Sequence, residues 1–538
     1  MTEPPPAQPL SEPLSGPLSG PLSGPLSGPL SGPLLAVRGL TVRFGEVLAN
    51  DHVAFEVLPG EVHALIGENG AGKSTLLKLV YGVYRPDAGE ILVGGEPMST
   101  SPGRARAAGI GMVFQDLRLV PALTVAENIA LAGKGLGGHR KIIEAAARYG
   151  LAVDPAARAG HLSIGERQRV EILKVLMTGA RIVILDEPTS VLTPQEAEAL
   201  LDAVRGLRER GLGVVLVTHK LGEVRAIADR VTVLRGGKVT LQAADPRGHT
   251  DAELVTAMVG RTVPALPAER PEPARDRVPA LRLSGVSAHG DGGHLALREV
   301  ELTVAPGEIV GVAGVAGSGQ RELCEVALGV RRAATGTVEI CGEPLTRGPR
   351  AASAMGVTSV SEDPLTDAVV PGMSVTQHMA LGLARLPRRG LNVDWRQVAQ
   401  ATGELEAAVG LGMAAGHRTL AGLSGGNVQR VMLTRALGRA DARLIVAAYP
   451  SRGLDIATTR RTQELLLERR AAGAGLLVVS EDLDELIALS DRIAVMYAGR
   501  IAGVVDAARA DREQIGRLML GGEVAGPGEL VSTAGESS

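Results

Sequence analysis

Lys73 and Ser74 close the run Gly67-Glu68-Asn69-Gly70-Ala71-Gly72-Lys73-Ser74, which fits G-x-x-x-x-G-K-[ST] and is followed by Thr75. In such a run the backbone N–H groups wrap phosphates at a helix N-terminus, with Lys73 reaching the β- and γ-phosphates and the Ser74 hydroxyl ligating magnesium. Further along, the apolar run Ile182-Val183-Ile184-Leu185 ends in two carboxylates, Asp186 and Glu187. That is what a magnesium-dependent nucleotide hydrolase places opposite its phosphate loop: Asp186 to hold the metal, Glu187 to polarise the attacking water. Both runs then recur with their chemistry removed. Gly314-Val315-Ala316-Gly317-Ser318-Gly319-Gln320-Arg321 keeps glycines but has Gln320 for Lys73 and Arg321 for Ser74, and Ala448-Tyr449 stands for Asp186-Glu187. The second copy thus loses most of its electrostatic stabilisation of phosphates, and hydrolysis is not expected there. Arg321 still leaves weak anion pairing open.

To place these groups the chain needs short buried strands that feed loops. Glu61–Ile66, Arg181–Leu185 and Gly213–Val217 read as such strands, and a helix is expected after Gly72 with Lys73 and Ser74 in its first turn. Glu308–Ala313 repeats the strand–loop–helix context, and context is what makes a motif match credible. The copies are in register: Gly67 pairs with Gly314, Ser163 with Ser424, Asp186 with Ala448 and His219 with Glu481, at offsets of 247, 261, 262 and 262. The growth in offset predicts extra residues in the second copy near Ser361–Val370. One α/β fold has been used twice. A first block is expected over 35–262 and a second over 281–521, joined by a linker over 263–280 with five prolines.

The flanks carry no core. Residues 1–34 hold Pro-Leu-Ser-Gly in tandem, and proline at every fourth position forbids helix, so this tail is expected to be disordered. Residues 522–538 read as a second flexible tail. With 538 residues and a net charge of −3 the chain can bury two or more cores and lacks the basic bias of a nucleic-acid binder. Its two cysteines, Cys324 and Cys341, suggest neither a zinc site nor a disulfide framework. No apolar stretch approaches the ~18 residues a spanning helix needs, and no leader-like segment opens the chain. Action on a membrane is expected to run through partners, without direct insertion.

Leu162-Ser163-Ile164-Gly165-Glu166-Arg167-Gln168-Arg169 resembles the LSGGQ signature of ABC ATPases, and Leu423-Ser424-Gly425-Gly426-Asn427 matches it better. With DEPTSVLTPQEA at Asp186–Ala197 and SDRIAVMYAGRI at Ser490–Ile501, residues 35–521 resemble the fused tandem ATP-binding subunit of bacterial ABC importers for simple sugars and nucleosides. The resemblance implies two tandem P-loop ABC ATPase domains. Each would have a RecA-like α/β core, an antiparallel β-subdomain and a helical subdomain. It places Gln115 in a loop that senses magnesium and water, His219 where it grips the γ-phosphate, and Phe44 where an aromatic stacks on adenine. It also implies head-to-tail blocks, so that Lys73, Ser74, Asp186, Glu187 and His219 meet Ser424, Gly425 and Gly426 in one complete ATP site. The other site joins Gln320, Ala448, Tyr449 and Glu481 to the altered Ser163–Glu166, and Ser190-Val191-Leu192-Thr193 lacks the D-loop aspartate kept at Asp455.

Implied partners are two integral membrane permease subunits, docked near Gln115–Thr124 and Glu362–Ser374, and an extracytoplasmic substrate-binding lipoprotein or periplasmic protein. The location would be peripheral, on the cytoplasmic face of the membrane. VLTP at Val191–Pro194 and the AA-x-P-S-RGLD form at Ala447–Asp455 resemble the purine-nucleoside branch more than the ribose or galactose branch. Further alternatives are a soluble translation-associated ABC protein and an exporter or resistance ATPase; the short linker and single intact catalytic set fit the former poorly.

Overall fold

A computed structural model describes residues 32–521, apart from 190, 191, 193, 263–265, 268–270, 316, 347 and 384. The Pro-Leu-Ser-Gly repeat, the last 17 residues, parts of the linker and most of the first D-loop lie outside these residues.

Unbroken apolar runs make strands covered on both faces. In the first block Ile182–Asp186 and Gly213–Val217 are buried at every position, as is Val62–Gly67. They form a six-stranded sheet in the order Lys238–Ala244, Arg230–Arg235, Val62–Gly67, Gly213–Val217, Ile182–Asp186, Ile110–Val113, parallel except for the first pair. The second block repeats it as Arg500–Asp506, Arg492–Tyr497, Ile309–Gly314, Gly475–Val479, Leu444–Ala448, Val357–Val360. Each block adds a four-stranded antiparallel sheet and a helical layer. The helices are Val125–Ala130, His139–Tyr149 and Ile164–Met177 in the first, and Val375–Ala380, Trp395–Val409 and Gly425–Leu437 in the second.

Most of the inserted residues of the second block are not where the motif offsets suggested. Capping boxes at Thr124 and Ser374 match at an offset of 250, and the helix-ending glycines Gly150 and Gly410 at 260. Only three extra residues therefore fall near Ser361–Val370, where a one-turn helix, Pro364–Asp367, forms. Ten fall between Leu381 and Gly410, in a small hairpin (Arg388–Arg389 with Asn392–Val393) and a longer helix. Motif spacing constrains only the sum between anchors, and the caps divide it.

Candidate functional site

The phosphate loop is fixed by its strand and by one glycine. Gly72 sits at φ 100°, and a Cβ there would meet the Ala49 carbonyl at 2.4 Å, so only glycine closes this turn. The helix Lys73–Val80 starts at once, as expected. Lys73 is buried and its ammonium donates to the carbonyls of Gly67 at 2.6 Å and Glu68 at 3.1 Å. Burial lowers its pKa, and the charges of Glu187, Asp186 and Glu68 oppose that shift. Asp186 ends its strand almost fully buried; burial and the neighbouring Glu187 raise its carboxyl to about 6, with Lys73 pulling the other way.

Glu187 stands at φ 46°, its N–H donating to the Val217 carbonyl at 2.9 Å, a left-handed turn that aims the side chain out of the sheet. There Gln115 Nε2 donates to Glu187 Oε2 at 3.3 Å, and His219 Nδ1 lies 3.3 Å from Glu187 Oε1. Burial alone would raise the Glu187 pKa, but the His219 hydrogen bond and the charges of His219, Lys73 and Lys220 hold it low. The ionised form is the one that can take a proton from water. Gln115, Glu187 and His219, remote in sequence, thus converge with Gly70, Gly72, Lys73, Ser74 and Thr75 on one cavity of about 1000 Å³.

The opposite wall of that cavity belongs to the second block, with Tyr449, Ser451, Arg452, Gly453, Leu454 and Glu481. Asn69 Nδ2 donates to the Leu454 carbonyl at 2.9 Å, and the Glu68 carboxylate faces Asp455 and the Ala457 N–H. Ile456 packs into a first-block apolar cluster that contains Val224, Leu254 and Met258. The blocks therefore meet head to tail, phosphate loop against D-loop.

Not every expected residue reaches this cavity. Ser424, Gly425 and Gly426 begin the Gly425–Leu437 helix but do not line it. They stand one backbone layer behind: a Cβ on Gly426 would meet the Gly453 carbonyl at 2.8 Å, and Gly453 is on the wall. Gln429 ties the same helix to the carbonyls of Tyr449 and Pro450. Phe44 is also off the wall; it is exposed at a hairpin end, edge-on to Tyr84 at 5.2 Å, while Val47, Leu48 and Ala49 line the cavity. Conversely, Tyr449 and Glu481, expected to belong to the second site, face the first.

The two signatures differ in a way their letters only hint at. In the first block Glu166 completes a capping box with Ser163, and Ser163 Oγ also lies 3.1 Å from Glu196 Oε1. Its hydroxyl accepts from the Glu166 N–H and donates to the Glu196 carboxylate. In the second block Asn427 replaces Glu166 and donates to Ser424 Oγ at 2.9 Å. The S-x-x-E spacing of a capping box was readable in the sequence; the approach of Glu196 was not. In the second phosphate loop Gln320 donates to the Val315 carbonyl at 3.0 Å, taking over the lysine's loop contact without its charge. Arg321 is paired with Glu325 at 2.9 Å. Tyr449 keeps the geometry of Glu187, at φ 48° and bonded to the Val479 carbonyl at 2.7 Å.

Residues 50–190 and 297–446 match the family described as ABC transporter. The chain is 40% identical to the glucose import ATP-binding protein TsgD13 of Haloferax volcanii, over 93% of this chain and 97% of that protein. It is 40% identical to a ribose import ATP-binding protein, RbsA 1, of Rubrobacter xylanophilus, over 92% and 99%. It is 38% identical to the nucleoside import ATP-binding protein NupA of Lactococcus lactis, over 90% and 97%.

Proposed function

Since the chain belongs to the ABC transporter family, as an ATP-binding subunit of the sugar- and nucleoside-import type, we propose that it powers uptake of a nucleoside, a purine nucleoside by preference, through one competent ATP site. The observation that carries the one-site reading is the convergence of Lys73, Gln115, Glu187 and His219 on a single cavity. There Lys73 and the loop N–H groups hold phosphates, Glu187 accepts a proton from the attacking water, and His219 orients both. Ser424, Gly425 and Gly426 complete the site by moving forward past Gly453 when the blocks close.

A hard cation fits the oxygen donors of Ser74, Gln115 and Asp186, and the adjacent carboxylates, buried Asp186 and half-buried Glu187, carry more negative charge than Lys73 offsets. We assign these three residues to magnesium, which when bound with ATP neutralises phosphate charge.

Among the described residues no helix is long and apolar enough to cross a membrane. The two blocks instead expose matched apolar residues: Val83 and Val330, Val120 and Val370, Leu131 and Leu381. We assign these faces to two permease subunits on the cytoplasmic side, and through them to a substrate-binding protein. The first face holds a cavity of about 260 Å³ lined by Tyr81, Phe114, Leu131 and Lys174.

The Ala447–Asp455 and Val191–Pro194 sequences favour the nucleoside branch. The 40% identity to glucose and ribose import proteins favours sugar as the second reading. Radiolabelled uptake in a strain lacking the gene decides between them. Loss of adenosine and guanosine uptake supports the proposal; loss confined to ribose or galactose moves the chain to the sugar branch.

A further inference from the structure

The two proposed docking faces agree in their apolar residues and disagree in one unpaired charge. On the first face Lys174 is ion-paired at 2.6 Å with Glu171, one helical turn earlier, and both line the groove beside Leu131 and Ala132. The matched residues of the second block are Arg435 and Met432, so the carboxylate is gone. Met432 is buried, and Arg435 lies with its stem against Gly382, where a Cβ would come within 2.6 Å of Arg435 Cγ. Gly382 follows the exposed Leu381 as Ala132 follows the exposed Leu131. Among the described residues no carboxylate or carbonyl pairs with the Arg435 guanidinium, and burial, with no opposing charge, lowers its pKa. Of the other first-face cations, both exposed, Arg118 stacks 3.7 Å from the Phe114 ring centroid and Arg106 stands in solvent.

Arg435 is half-buried, so a segment seated on this face would take its guanidinium out of water with five N–H donors and a charge, and both are met by a planar carboxylate. We infer that the permease segment seated on the second block carries an aspartate or glutamate that pairs with Arg435, whereas the segment on the first block meets a cation already neutralised. This rests on the docking reading above. It makes the two faces chemically distinct, so the two docking segments make non-identical contacts.

The test is capture of the detergent-solubilised permease pair by the full chain carrying R435M, R435E, or the double change K174M/E171M, with L131D/L381D as a probe of docking itself. R435M keeps the aliphatic stem and is expected to retain the wild-type melting curve and basal ATPase rate while capture weakens by about tenfold or more. R435E weakens it further, and reversing one cytoplasmic permease carboxylate to arginine restores capture of R435E. K174M/E171M, which removes a pair already satisfied, changes capture by about twofold or less. Wild-type capture by both Arg435 variants, equal loss in K174M/E171M, or no rescue by any carboxylate reversal overturns the inference. Undiminished capture of L131D/L381D overturns the docking reading instead.

Discussion

Replacing Ser424 by alanine should cost far more turnover than replacing Ser163, although the two residues occupy equivalent positions. The Ser163 hydroxyl accepts from the Glu166 N–H at 3.1 Å and lies 3.1 Å from Glu196, so it is spent on its own helix N-terminus. Its loss removes a cap, about 1 kcal/mol of local stability, and should leave ATPase within about twofold. Ser424 makes no cap bond to its helix, and among the described residues no carboxylate reaches it; its one side-chain contact is the Asn427 amide at 2.9 Å. Its proton is available to a γ-phosphate across the block interface. A hydrogen bond to a charged group contributes about 1.5–3 kcal/mol, which converts to a rate loss of roughly 10- to 150-fold. Steady-state ATPase of the assembled transporter at saturating magnesium-ATP, with melting curves to exclude misfolding, gives the comparison directly. Equal losses in Ser163→Ala and Ser424→Ala would refute the assignment of hydrolysis to one composite site.

Glu187→Gln should lower turnover by on the order of 10²–10³ while ATP binding, read by equilibrium titration, is retained. Glu61, hydrogen-bonded by His63, Arg230 and the Leu58 N–H despite its burial, has its carboxyl pulled down from 4.5 to about 2. A depressed carboxylate stabilises the fold above its ordinary value and loses that contribution as pH falls towards 2, so native stability should drop by up to roughly 3 kcal/mol between pH 5 and 2. Denaturant titrations of Glu61→Gln over that window should be flatter than wild type; an unchanged slope removes Glu61 from the account. Arg492 holds the fully buried Glu308 through bonds of 2.8 and 3.0 Å. Arg492→Met should destabilise the second block by about 3–5 kcal/mol, seen as a lower urea midpoint. Deleting residues 1–30 should leave both the melting temperature and ATPase rate unchanged, since a Pro-Leu-Ser-Gly composition is expected to add nothing to a core.

The placement of the proposed catalytic residues was legible because they are tied to elements that apolar runs announce. Asp186 and Glu187 close a fully buried strand, Lys73 opens a helix behind Gly72, and both followed from local pattern. What pattern left out depends on how separate layers meet. Glu196 reaches Ser163 from another helix, and Tyr449 and Glu481 turn towards the partner block's loop. Phe44 satisfies a spacing rule yet packs on Tyr84, because its hairpin end stands clear of the cavity. The inserted residues of the second block were misplaced for the same reason, since only capping geometry between the motifs shows where the chain lengthens.

The shared backbone of Glu187 and Tyr449 has a consequence for how this chain can change over time. Tyr449 is held in the same left-handed turn as Glu187, each by the equivalent carbonyl of its own block. The second block thus keeps the backbone frame at this position and lacks the carboxylate. Restoring Glu at 449 would meet a frame already shaped for it, but no lysine at 320, no hydroxyl at 321, no aspartate at 448 and no histidine at 481. Each single substitution places a charge or donor where its collaborators are missing, so no one change alone is expected to restore the second site. Under the one-site proposal the division of labour between the halves then behaves as a ratchet, one that geometry alone would let slip and that interdependence of side chains holds in place.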